Sequence, residues 1–146
     1  MKKKIILDCD PGHDDAVAIM LAAAHDNIEL LGITCVAGNA TLDNTKQNAL
    51  KICSLIGQSN IPIYSGAEKP LIYDLVTAEH VHGKSGLDND GENIKVDDNY
   101  KIQKMSAEDF IISACHAQNE SIYLCPVGPL TNIAKALKKD PSIKKK

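Results

Sequence analysis

Apolar segments with strand character alternate with segments of helical periodicity along the whole chain. Short apolar runs bounded by turn residues predict strands at residues 4–9, 28–37, 61–65 and 121–125. Apolar residues at helical spacing predict helices at 14–25, 42–56 and 106–118, and a last helix that begins at Pro129. Strands connected through helices run parallel with right-handed crossovers. The alternation therefore predicts an α/β fold with a mostly parallel, open sheet and helices on both faces.

The chain has the size and apolar content of one domain spanning residues 1–146. It has 146 residues, of which 44% are hydrophobic, and this is enough for a core of its own. Residues 66–100 lack a regular pattern and contain several glycines and acids. A segment of this length without regular structure inside a compact domain is typical of a functional loop or of disorder.

Charge and hydropathy exclude two classes of partner. A net charge of −3 argues against broad binding to nucleic acid. No apolar run approaches the roughly 20 residues of a membrane helix, so no membrane partner is expected. Lys2–Lys4 leads into a short apolar strand and then directly into acids, unlike a secretory leader. The five cysteines form no C-x-x-C pair, which indicates free core thiols. We therefore expect a cytoplasmic protein.

The first strand runs into an unusually acidic loop. Asp8-Cys9-Asp10-Pro11-Gly12-His13-Asp14-Asp15 places four carboxylates in eight residues. Such charges repel unless a cation neutralises them, and Ca²⁺ takes roughly six to eight oxygen ligands. The Pro-Gly turn allows Asp10 and Asp15 to face one point, while Asp8 is expected to brace the loop through backbone N–H groups. The alternative is that Asp14 caps the helix and Asp15 favours its dipole, without any site.

Polar groups also follow two other predicted strands. Gly38-Asn39 follows the second strand, and Val127-Gly128-Pro129 follows the fourth. Ligands of open parallel sheets bind beyond the carboxyl ends of the strands. We therefore expect these two loops and the acidic loop to converge at one edge of the sheet.

The acidic loop and three later segments together resemble the inosine–uridine nucleoside hydrolase family. The four segments occur in this order: Asp8-Cys9-Asp10-Pro11-Gly12-His13-Asp14-Asp15-Ala16, Val36-Ala37-Gly38-Asn39, Thr77-Ala78-Glu79-His80-Val81-His82-Gly83 and Pro126-Val127-Gly128-Pro129-Leu130-Thr131-Asn132-Ile133-Ala134. The resemblance covers nearly the whole chain, and four ordered motifs are far more specific than one. It implies the Rossmann-like nucleoside hydrolase fold, with this chain as its amino-terminal portion.

The resemblance also implies an activity and a role for each matching residue. Family members hydrolyse the N-glycosidic bond of ribonucleosides to ribose and free base, in purine and pyrimidine nucleoside catabolism. By resemblance, Asp10, Asp15 and the backbone carbonyl of Val127 would bind Ca²⁺, and Asp10 would act as general base on a Ca²⁺-bound water. Asp14 and Asn39 would hold the ribose hydroxyls. His82 would line the pocket near the base.

Several alternatives remain open at this stage. The resemblance assigns another Ca²⁺-binding aspartate, ribose-binding groups and a leaving-group histidine to a later half of the family domain, so we expect a truncated site and an exposed apolar sheet edge. The chain is then an inactive fragment, a hydrolase completed by a second chain or by self-association, or a ribose-binding or assembly module without chemistry. Members of the family are commonly homo-oligomers, so the resemblance implies that this protein is also a homo-oligomer. A haloacid-dehalogenase-like phosphatase, suggested by Asp8-Cys9-Asp10 alone, ranks far lower because Pro11-Gly12 does not continue that motif.

The remaining polar residues receive weaker assignments. An H-x-H pair in a loop is by itself more often solvated than bound to a metal, so the role of His80 stays open, whereas no catalytic part is expected for His13, His25 or His116. Asn44, Asn48 and Asn132 are expected in turns or on helix surfaces, although Thr131-Asn132 could help to position the final loop. Residues 87–90 loosely resemble the pyrimidine-preferring branch, and base preference stays open.

Overall fold

The computed structural model describes residues 2–88, 93–117 and 121–145. Five strands and five helices alternate along it. The strands are β1 (Lys3–Cys9), β2 (Ile28–Cys35), β3 (Ile63–Ser65), β4 (Gln103–Ser106) and β5 (Tyr123–Pro126). The helices are α1 (His13–Ala24), α2 (Leu42–Leu55), α3 (Glu79–His82), α4 (Ala107–Ala117) and α5 (Thr131–Lys139), followed by a 3₁₀ helix at Pro141–Lys145.

The five strands form one parallel sheet in the order β4-β3-β2-β1-β5. Asp8 of β1 lies opposite Thr34 of β2 and Pro126 of β5, and Cys9 lies opposite Cys35. All carboxyl ends therefore lie at one edge, which we call the carboxyl edge. The predicted α/β class and the parallel sheet are confirmed.

Alternating residues of β1 pack into two separate cores. Leu7 of β1 packs with Ile33 and Ile52 under α1 and α2. Ile6, its neighbour, packs on the opposite face with Ile111 of α4 and Ala136 of α5. Successive side chains of a strand point to opposite faces, so the sheet is covered on both sides, as the sequence predicts.

The structure differs from the prediction in several bounds and in two elements that were not predicted. β3 and β5 each begin two residues later than predicted. β2 ends at Cys35 instead of residue 37, and the last helix begins at Thr131, because Pro129 still belongs to the loop before it. β4 and α3 were not predicted. β4 reads Gln-Lys-Met-Ser and lies mostly exposed at the sheet edge, so it lacks the apolar alternation that marks a half-buried strand. The predicted end of the α4 helix at Gln118 lies outside the described residues.

The described helices are short. The longest, α2, has 14 residues. None of the helices in the described part of the chain has the length and apolar character needed to cross a membrane.

The packing of the core predicts how far single substitutions change the free energy of unfolding. Replacing the fully buried Ile33 by alanine removes a side chain from the larger core, and should lower the free energy of unfolding by about 2–5 kcal/mol. Leu21→Ala on α1, where the side chain is 62% exposed, should change it by less than about 0.5 kcal/mol. Urea denaturation followed by circular dichroism measures both values. Equal losses would contradict the assigned core.

Candidate active site

Three loops meet around the carboxylate of Asp10 at the carboxyl edge. A Cβ placed on Gly38, in the loop after β2, would overlap that carboxylate and lie 2.7 Å from Cγ of Pro129. A Cβ on Gly128, in the loop after β5, would overlap the same carboxylate and lie 3.0 Å from the Asp10 nitrogen. Only glycine allows both backbones to approach this closely. The predicted convergence of the loops is therefore present.

Backbone donors hold the two central carboxylates. The Asn39 N–H donates to Oδ2 of Asp10 over 2.6 Å, and the Asn39 side-chain amide donates to the Asp10 carbonyl over 3.2 Å. The Asp10 N–H in turn donates to Oδ2 of Asp15 over 3.0 Å. Asp15 lies in the first turn of α1, whose N-cap is Gly12, so the turn at Pro11-Gly12 returns its carboxylate to Asp10.

Asp8 lies beneath this pair and is fully buried. Its Oδ1 accepts hydrogen bonds from the Thr34 hydroxyl (2.5 Å) and from the Asn132 side-chain amide (2.8 Å). The prediction that Asp8 braces the loop through backbone N–H groups was wrong for its carboxylate: Oδ1 is bound by side chains, and Oδ2 has no hydrogen-bond partner among the described residues. Backbone N–H groups bind the carboxylates of Asp10 and Asp15 instead, and the Asp8 carbonyl accepts the Val127 N–H.

Two asparagines expected on turns or helix surfaces are instead buried. Asn132 is 0% exposed and Asn48 is 1% exposed. The Asn48 amide donates to the carbonyls of Pro11 (2.9 Å) and Ser85 (2.8 Å), so it attaches the acidic loop to the segment after α3. Asn44 does lie nearer the surface, where it donates to the Lys84 carbonyl over 2.9 Å. Buried amides satisfy backbone carbonyls that would otherwise lose their hydrogen bonds.

Burial and mutual repulsion favour protonation of these carboxyls in the absence of a cation. Burial, and next to it the charge of Asp10, raises the pKa of Asp15 to about 7. Burial raises the pKa of Asp8 to about 6, against the lowering effect of its bonds from Thr34 and Asn132. Burial also raises the pKa of Asp10, with a smaller contribution from Asp14. Carboxyls with raised pKa values at a strand end are typical of a functional site.

His82 covers the acidic loop from the side. It is half-buried at the end of α3, and a Cβ on Gly12 would lie 2.7 Å from its Nδ1. Its ring stacks on that of His13, with centroids 5.7 Å apart. The Ala78 N–H donates to the Asn39 carbonyl over 3.0 Å, which joins the segment before α3 to the site. His80 is exposed.

The other two residues with an expected role also lie at this edge. Asp14 is exposed in the first turn of α1, and its charge acts on both Asp10 and Asp15. Val127 follows β5, and its N–H donates to the Asp8 carbonyl over 2.9 Å. Ligation of a cation by the Val127 carbonyl stays a prediction, as do the individual roles of the other site residues.

The donor groups fit a hard divalent cation. Asp10 and Asp15 are 4% and 3% exposed, and they lie close enough for the charge of Asp10 to raise the pKa of Asp15. Their oxygens are the ligand type that Ca²⁺ prefers. Among the described residues, no group of three or more His, Cys, Asp or Glu side chains is arranged to hold a metal ion. A cation here would therefore need backbone or substrate oxygens in addition to the carboxylates.

A cavity lies elsewhere in the molecule, apart from the acidic loop. It has a volume of about 610 Å³ and is lined by Tyr64, Tyr100 and Met105, among others. Asp10, Asp15 and Asn39 are not part of its wall. The cavity contains none of the chemistry that the sequence motifs bring together.

Comparison with known proteins decides the family. A sequence model described as "Inosine-uridine preferring nucleoside hydrolase" matches residues 5–146. The chain belongs to this family. It is 46% identical over 142 residues to the pyrimidine-specific ribonucleoside hydrolase RihB of Escherichia coli K12, a match that covers 97% of this chain and 44% of the relative. The predicted family resemblance is confirmed.

Solved structures of nucleoside hydrolases share the fold. The purine-preferring ribonucleoside hydrolase from Gardnerella vaginalis is 36% identical with a TM-score of 0.86, over 97% of this chain and 45% of that one. The plant nucleoside hydrolase PpNRh1 is 33% identical with a TM-score of 0.91, over 100% of this chain and 46% of that one. The chain thus spans about half the length of the nucleoside hydrolases it matches.

The raised pKa values predict how stability depends on pH without divalent cations. A folded state that raises an acid's pKa is most favoured while the acid is protonated, so stability is full below about pH 4 and falls as pH rises through about 7. Thermal melts in a chelator should show the midpoint falling over this range. Asp15→Asn should flatten the dependence, because it removes the group with the pKa of about 7.

Asp26→Asn is the matched control, since Asp26 is exposed in the turn after α1. It should leave the pH dependence unchanged. Ca²⁺ should restore stability most at high pH, where the carboxylates are charged. A midpoint that rises from pH 4 to pH 7 in chelator would contradict the burial and the proximity of these carboxyls.

Proposed function

We propose that the protein hydrolyses the N-glycosidic bond of ribonucleosides, and that this chain supplies the cation-binding and ribose-binding part of the site. The observation that supports this most directly is the pair of buried carboxylates, Asp10 and Asp15, joined by the Asp10 N–H at the carboxyl edge. Relatives that match nearly the whole of this chain carry the name ribonucleoside hydrolase.

Each residue has a place in the proposed reaction. Asp10 is the general base that takes the proton from the attacking water. Asn39 fixes the orientation of Asp10, and Asp14 and Asn39 accept or donate hydrogen bonds to the ribose hydroxyls. His82 lines the pocket on the side of the base. Cleavage passes through an oxocarbenium-like state, and the nearby carboxylates stabilise its positive charge.

Asp10, Asp15 and the Val127 carbonyl would hold a Ca²⁺ ion in this proposal. Such an ion supplies positive charge that neutralises the carboxylates, fixes ribose hydroxyls and makes water more acidic. The other roles in the reaction belong to residues of the chain itself. Asp10 removes a proton, and the buried surroundings of Asp8 and Asp15 keep the loop in place.

A second candidate function is a module that binds Ca²⁺ and ribose without chemistry. The chain covers 44% of the length of RihB, so further groups of a complete site would lie in the part of the relative that it does not match. A chimera separates the two functions: this chain replaces the matched 142 residues of RihB from Escherichia coli K12. Hydrolysis by the chimera supports the enzyme, and a folded chimera that binds Ca²⁺ without turnover supports the module.

Asp10→Asn in the chimera should lower kcat/KM for uridine at least ~100-fold, because the amide cannot accept the proton from water. Release of reducing sugar from uridine and from inosine measures the rate. Both substrates are needed, because RihB is named pyrimidine-specific and the Gardnerella vaginalis enzyme purine-preferring.

Asp26→Asn serves as the control and should leave kcat/KM unchanged. Circular dichroism confirms that the chimera variants are folded. Full activity in folded Asp10→Asn would exclude Asp10 as the base.

The two histidines of the H-x-H motif, His80 and His82, provide a test variant and a matched control. His82→Ala removes a half-buried ring that lies against Gly12, and should raise KM for the nucleoside roughly 10-fold in the chimera. His80→Ala removes an exposed ring and should leave KM unchanged. Steady-state kinetics with uridine tests both variants. Equal effects would remove His82 from the pocket.

A further inference from the structure

Three buried polar side chains connect the strand ends beneath the site. Asp8, Thr34 and Asn132 are each 0% exposed, and we call them the buried brace. Oδ1 of Asp8 accepts hydrogen bonds from Thr34 and from Asn132, as described above. Asn132 makes two more bonds: its amide donates to the Cys35 carbonyl (3.1 Å), and its Oδ1 accepts the Ala67 N–H (2.8 Å).

The brace therefore reaches the ends of four strands. Asp8 belongs to β1, Cys35 ends β2, and Ala67 follows β3. Asn132 lies in the first turn of α5, which comes after the loop that follows β5. The Asp8 carbonyl also accepts the N–H groups of Val127 (2.9 Å) and Gly128 (3.4 Å). Asp8 thus binds the loop after β5 through its main-chain carbonyl, and it binds Asn132 through its side-chain carboxylate.

The contacts of the brace in β1, β2 and the segment after β5 lie within five residues of the site along the chain. Asp8 precedes Asp10 by two residues, Cys35 precedes Asn39 by four, and Val127 precedes Asn132 by five. A packed apolar side chain would fill the same space without the cost of desolvating a carboxylate. The bonds instead fix the direction and spacing of three loops, which apolar packing does less specifically.

We propose that Asn132 is a positioning residue that, with Asp8 and Thr34, fixes Asp10 and the Val127–Gly128 loop relative to each other. The loops then present their oxygens in one arrangement before any ligand binds. The consequence for cation affinity rests on the proposed function, whereas the positioning itself does not. Outer-shell partners of metal ligands commonly change affinity by roughly 10–100-fold when they are removed.

The sharpest test compares two isosteric substitutions at fully buried threonines. Thr34→Val removes a hydroxyl that binds Asp8, and Thr45→Val removes one that binds the Leu42 carbonyl within α2. Both variants lose one buried hydrogen bond, but only the first belongs to the brace. Asn132→Leu removes the centre of the brace, and Thr34→Ser retains the hydroxyl and should behave like the unmodified protein.

Amide hydrogen exchange in the cation-free protein reads out the positioning. Thr34→Val and Asn132→Leu should accelerate exchange of the Asp10 and Asn39 amides roughly tenfold relative to the Ile33 amide, which bonds to the Pro62 carbonyl in the core. Thr45→Val and Thr34→Ser should leave this ratio unchanged. An unchanged ratio in both brace variants, or an equal change in Thr45→Val, would overturn the proposal.

Calorimetric titration with CaCl₂ is the second measurement. We expect Thr34→Val and Asn132→Leu to weaken Ca²⁺ binding at least ~10-fold and Thr45→Val to leave it unchanged. Equal affinity in all variants would overturn the link from the brace to the cation. If the unmodified chain binds no Ca²⁺, the proposed function fails at this step, and hydrogen exchange still decides whether the brace positions the loops.

Discussion

Two buried carboxylates, those of Asp10 and Asp15, lie side by side near the end of the first strand. The repulsion between their like charges is the constraint on which the rest of the site depends. Asp10 and Asp15 are almost completely buried, and each accepts a backbone N–H. Backbone donors compensate only part of the cost of burial and repulsion: burial, and next to it the charge of Asp10, still raises the pKa of Asp15 to about 7. The arrangement is stable with protons bound at low pH, and a cation would take their place at neutral pH.

The parallel sheet makes this arrangement possible. Adjacent parallel strands bring the loops after β1, β2 and β5 to one edge, where Gly38 and Gly128 let the backbone approach the Asp10 carboxylate. Asn132 then connects the strand ends below the loops. The site thus comes from topology and from close backbone contact, and neither is visible in the acidic motif alone.

The sequence predicted the fold class and the converging loops, because periodicity and strand-end position are local signals. It did not predict β4, whose mostly exposed side chains carry no alternation, or the buried position of Asn132, whose partners are up to 124 residues away. For Thr34, the sequence does carry a signal of its buried position. A threonine inside the apolar run Ile33–Val36 needs a buried partner, and parallel pairing places Asp8 opposite it.

The roles given to the site residues rest on one claim: Asp10 and Asp15 bind the same divalent cation. A crystal structure of the chain grown in CaCl₂ tests this most directly. The account predicts one ion with carboxylate oxygens of both residues at ~2.3–2.6 Å. An ion that contacts only one of them, or no ion at this edge at saturating CaCl₂, would contradict it.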